Sequence, residues 1–264
     1  MKIILSRKGF DSSYGGIASP ILPDNSLLSL PIPYSKGIRF SDVTYEGKDL
    51  LAIINELKRK SWNDRFCHLD PDINDEIKSK DYVCKGLFGQ SGAAQSHLDN
   101  QDVSEGDIFL FYGWFKQTEM KDGRLKFIKG ARDQHVIFGY LQIGKIYCNG
   151  TFPENMKCHP HAKYRELEKG KNCIYQAKDR LSFDEDLPGY GVFRYDKQLV
   201  LTKDNNSRSK WDLPDFFKYV EISYHSKKNF KEGYFDSAKI GQEFVIKCNE
   251  KVEEWAKQLI KENR

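Results

Sequence analysis

The chain has 264 residues, 30% of them charged and 39% hydrophobic, which is ample material for one large globular domain of ordinary soluble composition. A net charge of +4 permits contact with nucleotides or nucleic acid, but the dense basic stripe of a dedicated duplex binder is missing. No apolar run approaches the roughly 18 residues that cross a bilayer, and Arg7 and Lys8 interrupt any signal-type segment, so the expected compartment is the cytoplasm and no membrane partner is expected.

The first element is a short β-rich run over residues 2–6, which breaks into the loop SRKGFDSSYGG at residues 6–16. Arg7 and Lys8 supply cations, Ser12 and Ser13 hydroxyls, Asp11 a carboxylate, and Gly15 and Gly16 backbone that an anion can approach. Such a loop after a strand suits a phosphate, because N–H groups and charged donors converge on one spot. It is neither a P-loop, since no helix with Lys-Ser or Lys-Thr follows, nor a GxGxxG turn. An ordinary polar turn is the competing reading.

Leu50, Ile53, Ile54 and Leu57 recur at helical spacing and predict a helix. In His68-Leu-Asp-Pro-Asp72, two carboxylates two residues apart suit a divalent metal or a ribose, against the alternative of a turn or helix start. The segment 88–97, FGQSGAAQSH, leads into a short helix; Gln90 has the donor–acceptor pair that reads a base edge, and His97 lies two turns on. Strands are expected over 107–115, 124–129, 136–147, 173–177, 191–195, 198–202, 219–224 and 243–247. Lys121-Asp-Gly123 reads as a hairpin turn, and Gly113 and Gly139 as bulges or bends. Tyr112, Trp114, Phe115 and Tyr140 could stack on a base, although alternating aromatics more often form core.

His159-Pro-His161, after Cys158, has the spacing of a divalent-metal pair, with Cys148, Cys173, His135 and His225 as further candidate ligands. The six cysteines form no CxxC pair and are expected to be free thiols. Gln242 and Glu243 stand at the mouth of the last strand, where Glu243 could act as a general base or hold a ribose hydroxyl. A final helix follows, with Val252, Trp255, Ala256, Leu259 and Ile260 on one face and Asn249 as N-cap.

These elements describe a single α+β domain over residues 1–264: a curved, largely antiparallel sheet or partial barrel with a few covering helices. The Gly-Asp turn and the strand around Gly139 look like the barrel core of PUA-like domains, which bind RNA or modified bases. The motifs SRKGFDSSYGG, SLPIP, HLDPD, FGQSGAAQSHL, GDIFLFYGWF, HVIFGYLQIG, HPH, NCIYQA, WDLP, SYH and GQEFVI, in that order, resemble the third type of nucleotide modification associated domain. That bacterial and phage family is named for its association with systems that make or handle modified DNA bases.

The resemblance implies a nucleotide or nucleic acid as ligand and other modification-system proteins as partners, without implying a reaction. On this expectation Arg7, Lys8, Ser12 and Ser13 hold a phosphate, while Gln90, His97 and Gln242 contact the nucleotide. Asp11, His161 and Glu243 supply acid–base chemistry, and His159 with His161 could hold a divalent metal. The rivals are a non-catalytic reader of modified bases with a PUA-like pocket, and an interaction subunit. The leading reading further expects the first loop and the Glu243 segment to line one cleft.

Overall fold

The computed structural model describes residues 1–58, 61–79, 84–150, 152–163, 170–238 and 243–263. The elements that position the site are, in chain order, β1 (Ile3–Arg7), β2 (Ser19–Ile21), α1 (Leu50–Leu57), β3 (Phe66–His68), β4 (Leu87–Ser91), α2 (Gly92–Asn100), β5 (Ile108–Lys121), β6 (Arg124–Phe127) and β7 (Gln134–Cys148). They continue with α3 (Pro160–Lys163), β8 (Asn172–Ala177), β9 (Tyr190–Val192), β10 (Glu221–Ile222), β11 (Glu243–Lys247) and α4 (Glu250–Glu262).

Among the described residues a ten-stranded mixed sheet runs in the order β10-β11-β1-β5-β7-β8-β4, with β2 and β6 added to β5 and β9 to β7. Ile3, Ile4 and Leu5 of β1 are all buried, as expected of a central strand covered on both faces. β1 and β2 both run parallel to β5; the other pairings in the sheet are antiparallel. The fold class is therefore the expected α+β. The sheet does not close into a barrel, because its end strands β10 and β4 are not hydrogen-bonded to each other.

The sheet curls instead. Phe88 on the terminal strand β4 packs against Phe109 and Phe111 of β5, with ring centroids 4.8 and 5.2 Å apart, although β7 and β8 lie between those strands in the order. A β-bulge contributes: Phe111 pairs with Gly139 but Tyr112 with Ile137, so Phe138 of β7, next to the expected glycine, is skipped. A Cβ on Gly139 would fall 2.6 Å from the Gly191 carbonyl oxygen, so the bend requires a residue without a side chain. The Asp122-Gly123 turn joins β5 and β6 with both residues at positive φ, as a two-residue hairpin demands.

Both long predicted helices form. Asp49 caps α1 by accepting from the Ala52 N–H, and Asn249 caps α4 by accepting from the Val252 N–H. Helix α4 packs on the main core, with Trp255 edge-on to Phe217 at 5.0 Å, whereas α1 buries Ile53, Ile54 and Leu57 in a second apolar cluster with Phe10 and Phe40. Two strand expectations fail. Residues 198–202 begin in a 3-10 turn, Lys197–Leu199, because the Asp196 carboxylate accepts from the Gln198 N–H and closes a turn there. The 219–224 run shrinks to β10, entered from a 3-10 turn after Pro214 and ended by Tyr224 at φ 63°.

The cysteine expectation is also corrected. Cys84 is bonded to Cys158 and Cys148 to Cys173, while Cys67 and Cys248 are free. Register explains one pair, since Cys148 and Cys173 lie directly opposite in the β7–β8 ladder. Neither is then available as a metal ligand.

Candidate functional site

Strand alternation divides the first loop. Successive side chains of a strand point to opposite faces, so Ser6 and Lys8 leave β1 on one side of the sheet and Arg7 on the other. Ser6 is paired with Glu243 across the β1–β11 ladder, and Arg7 with Tyr112 across the β1–β5 ladder.

On the first face the curl of the sheet brings β4 over β11. The Lys8 ammonium lies 2.9 Å from Glu243 Oε1, and Gln90 Nε2 donates to the same oxygen at 2.6 Å. Lys8 also sits over the Phe88 ring, 4.4 Å from its centroid. The pair is deeply buried, with side-chain exposures of 10% for Lys8 and 1% for Glu243, and Oε2 of Glu243 has no hydrogen-bond partner among the described residues. His97 stands close by. Its Nε2 shares a hydrogen bond with the Ser223 hydroxyl at 2.9 Å, and the same oxygen accepts from the Val245 N–H. Burial lowers the pKa of His97, and the Glu243 charge opposes this. Tyr224 covers the ring at 4.2 Å.

On the second face is a cleft of about 400 Å³, whose lining includes Arg7, Asp11, Ser12, Ser13, Trp114, His135 and Arg208. The Asp11 carboxylate accepts from the N–H groups of Ser13 and Tyr14, both at 2.7 Å, and so folds the loop. Arg208 donates to the Ser12 hydroxyl at 2.9 Å and sits over Trp114, with its Cζ 3.9 Å from a ring centroid. Burial lowers the pKa of Arg208; Asp133 and Asp11 oppose that and Arg7 adds to it, so the two guanidiniums repel across the cleft. Among the described residues neither is within ion-pair distance of a carboxylate. His135 accepts on Nδ1 from the Trp211 indole at 3.1 Å; burial, then the Arg208 and Arg7 charges, push its pKa down to about 3, leaving a neutral ring.

A third assembly lies against the opposite side of β4. Gly89 carries no side chain, and a Cβ there would meet His161 Cδ2 at 2.3 Å and His159 Cε1 at 2.8 Å. Its N–H donates to Asp70 Oδ1 at 2.9 Å. Around Asp70 stand His68, His159 and His161, with Nε2 atoms 3.6, 3.4 and 3.7 Å from its carboxylate oxygens. Burial raises the pKa of Asp70, but the surrounding imidazoles outweigh it and hold the carboxyl far below the usual range. Burial pushes His161 down to about 3 against the pull of Asp70.

The predicted residues thus fall into three places. Lys8, Gln90, His97 and Glu243 gather on one face of the main sheet. Arg7, Asp11, Ser12 and Ser13 gather on the other, and His159 and His161 behind β4. Gln242 lies outside the described residues. The expected single cleft is corrected: Lys8 reaches Glu243, but the rest of its loop faces away because neighbouring strand residues alternate. Lys8 therefore lies apart from Arg7, Ser12 and Ser13, and Arg208 stands beside those three in the cleft.

The aromatic wall is corrected too. Tyr112, Phe115 and Tyr140 are fully buried core, and only Trp114 of that group lines the cleft. His225 accepts the Ala238 N–H and packs on Phe244, outside the group formed by His68, Asp70 and His161. In HLDPD the two carboxylates diverge: Asp70 faces the histidines, whereas Asp72 pairs with Lys85 at 2.9 Å and is pushed up to about 6 by burial against that pairing. Arg208 and His68 were not anticipated as site residues. The HxD spacing of His68 and Asp70 was a readable signal, but nothing local marks Arg208, 201 positions after Arg7.

Fold and site define an α+β protein with a curled mixed sheet, a cleft holding two arginines and a buried histidine–carboxylate cluster. The family model for nucleotide modification associated domain 3 matches residues 2–247, and the chain belongs to that family. Its role is accordingly one associated with nucleotide modification. No curated protein and no solved structure matches the chain significantly. No helix among the described residues is long and apolar enough to cross a membrane.

Proposed function

We propose that the protein binds a nucleotide, or a nucleotide unit of a nucleic acid, with its phosphate in the Arg7–Arg208 cleft. The observation that carries this reading is two guanidiniums in one half-buried cleft, neither in a direct ion pair among the described residues, with Asp11 and Asp133 acting on Arg208 only from beyond contact distance. An anion between them would relieve the repulsion, and a guanidinium fork matches phosphate oxygens. The Ser12, Ser13, Ser207 and Ser209 segments add hydroxyl and backbone donors. The neutral His135 ring can exchange a hydrogen bond with the ligand without adding charge. Family membership favours a nucleotide over other phosphates.

Binding of a deoxynucleoside monophosphate and of a single-stranded oligodeoxynucleotide, measured by calorimetry for wild type and Arg7→Ala/Arg208→Ala, tests the reading. The double variant should lose at least about tenfold in affinity, since each hydrogen bond to a charged group contributes roughly 1.5–3 kcal/mol. For the oligonucleotide the salt dependence should flatten as well. Equal affinities would remove the cleft from consideration.

A further inference from the structure

We infer that His68, Asp70 and His161 form a binding site for one divalent first-row transition-metal ion, with His159 positioning the carboxylate. Their donor atoms all lie within 4.8 Å of one another, the only such group of three among the described residues. The site is separate from the arginine cleft and rests on its own hydrogen bonding.

Those hydrogen bonds assign the tautomers. Asn172 Nδ2 donates to the His161 carbonyl at 2.8 Å, so the other amide atom, Oδ1, is the acceptor facing His161 Nδ1 at 2.7 Å. His161 therefore carries its proton on Nδ1 and turns a bare Nε2 lone pair toward Asp70 Oδ2, 3.7 Å away. Two acceptors facing each other in a buried place repel unless a cation stands between them. His159 has the opposite tautomer. Its Nδ1 accepts from the His161 N–H at 3.3 Å, which leaves the proton on Nε2, 3.4 Å from Asp70 Oδ1 but without a hydrogen-bond partner among the described residues. His159 is a positioning residue and not a ligand.

The rest of the assembly is arranged for a ligand set. The Gly89 N–H is the one full hydrogen bond that the Asp70 carboxylate receives among the described residues, at 2.9 Å. The His68 and His161 contacts, at 3.6 and 3.7 Å, are longer than hydrogen bonds and only a few tenths of an ångström wider than the roughly 3.0–3.4 Å separating donors that share an ion at about 2.1 Å. Gly89 leaves the space that the rings occupy, and the Cys84–Cys158 bond ties the residue before His159 to the segment leading into β4. Two imidazoles with one carboxylate, and positions left for water or a ligand oxygen, select a transition ion such as Fe²⁺, Mn²⁺, Co²⁺ or Zn²⁺ over Mg²⁺ or Ca²⁺.

The test is titration of the untagged, chelator-treated full chain with Co²⁺, followed by visible absorption and by calorimetry. One equivalent should bind with Co²⁺ ligand-field bands, and Zn²⁺ should displace it. His68→Ala and Asp70→Asn, with folding verified by circular dichroism, should abolish the bands. His159→Gln should retain them with affinity weaker by about 10–100-fold. Absence of stoichiometric binding by the wild type would overturn the proposal. So would binding that survives in His68→Ala and Asp70→Asn, or that is removed by alkylating Cys67 and Cys248.

Discussion

Replacing Lys8 with methionine isolates the ion pair that joins the first strand to the last. Methionine preserves the aliphatic packing over Phe88 but removes the ammonium 2.9 Å from Glu243 Oε1. Glu243 would then keep only the Gln90 amide on Oε1, and Oε2 already has no partner among the described residues. With the carboxylate 1% exposed, water cannot take over. Removing one partner of a buried pair costs about 3–5 kcal/mol, because the other charge is left stranded.

For a chain of this size that corresponds to a drop of roughly 6–10 °C in the unfolding midpoint, at about 2 °C per kcal/mol. Urea unfolding at neutral pH measures it directly. Lys8→Met/Glu243→Leu should regain most of the loss, since replacing both charges by apolar groups is often neutral. A Lys8→Met protein within about 1 kcal/mol of wild type would refute the reasoning and class the pair with solvent-screened surface bridges.

Gly89→Ala should destabilise by about 1–3 kcal/mol through overpacking against His161 and His159, and should weaken Co²⁺ binding in the same sample; urea unfolding and the Co²⁺ bands read the two effects. His135 is held down to about 3, whereas an imidazole in the unfolded chain titrates near 6.5, so the unfolded state takes up the extra proton as pH falls. The His135 contribution is therefore complete above about 6.5 and is lost toward pH 3 at about 1.4 kcal/mol per unit; the stability difference between pH 7 and 4.5 should be smaller by about 2–3 kcal/mol in His135→Gln. Asn249→Ala removes the cap of α4 and should cost about 1 kcal/mol in the same assay, and no change would show that the cap hydrogen bond is replaced by water.

Local signals were legible in the sequence, and placement across the sheet was not. Leu50, Ile53, Ile54 and Leu57, and the Val252–Ile260 face with its Asn249 cap, announced both helices because periodicity and capping are properties of neighbouring residues. The Asp122-Gly123 hairpin and the bend at Gly139 were readable for the same reason. Residues 198–202 misled, because their apolar content fits a strand while the Asp196 cap settles a turn. The first loop and the Glu243 segment were expected to line one cleft, but only Lys8 reaches Glu243, and alternation sends Arg7 to the opposite face, which consecutive basic residues in a supposed loop concealed. The pairing of His68 and Asp70 with His161 depends on α3 docking behind Gly89, a contact between distant segments that no local pattern encodes.

The most direct test of the nucleotide reading is a crystal structure of the full chain grown with a deoxynucleoside monophosphate at saturating concentration. The account predicts phosphate oxygens within hydrogen-bond distance of both Arg7 and Arg208, with the Ser12–Ser13 loop closing on them. A nucleotide bound elsewhere, with the arginine cleft holding only solvent, would contradict it.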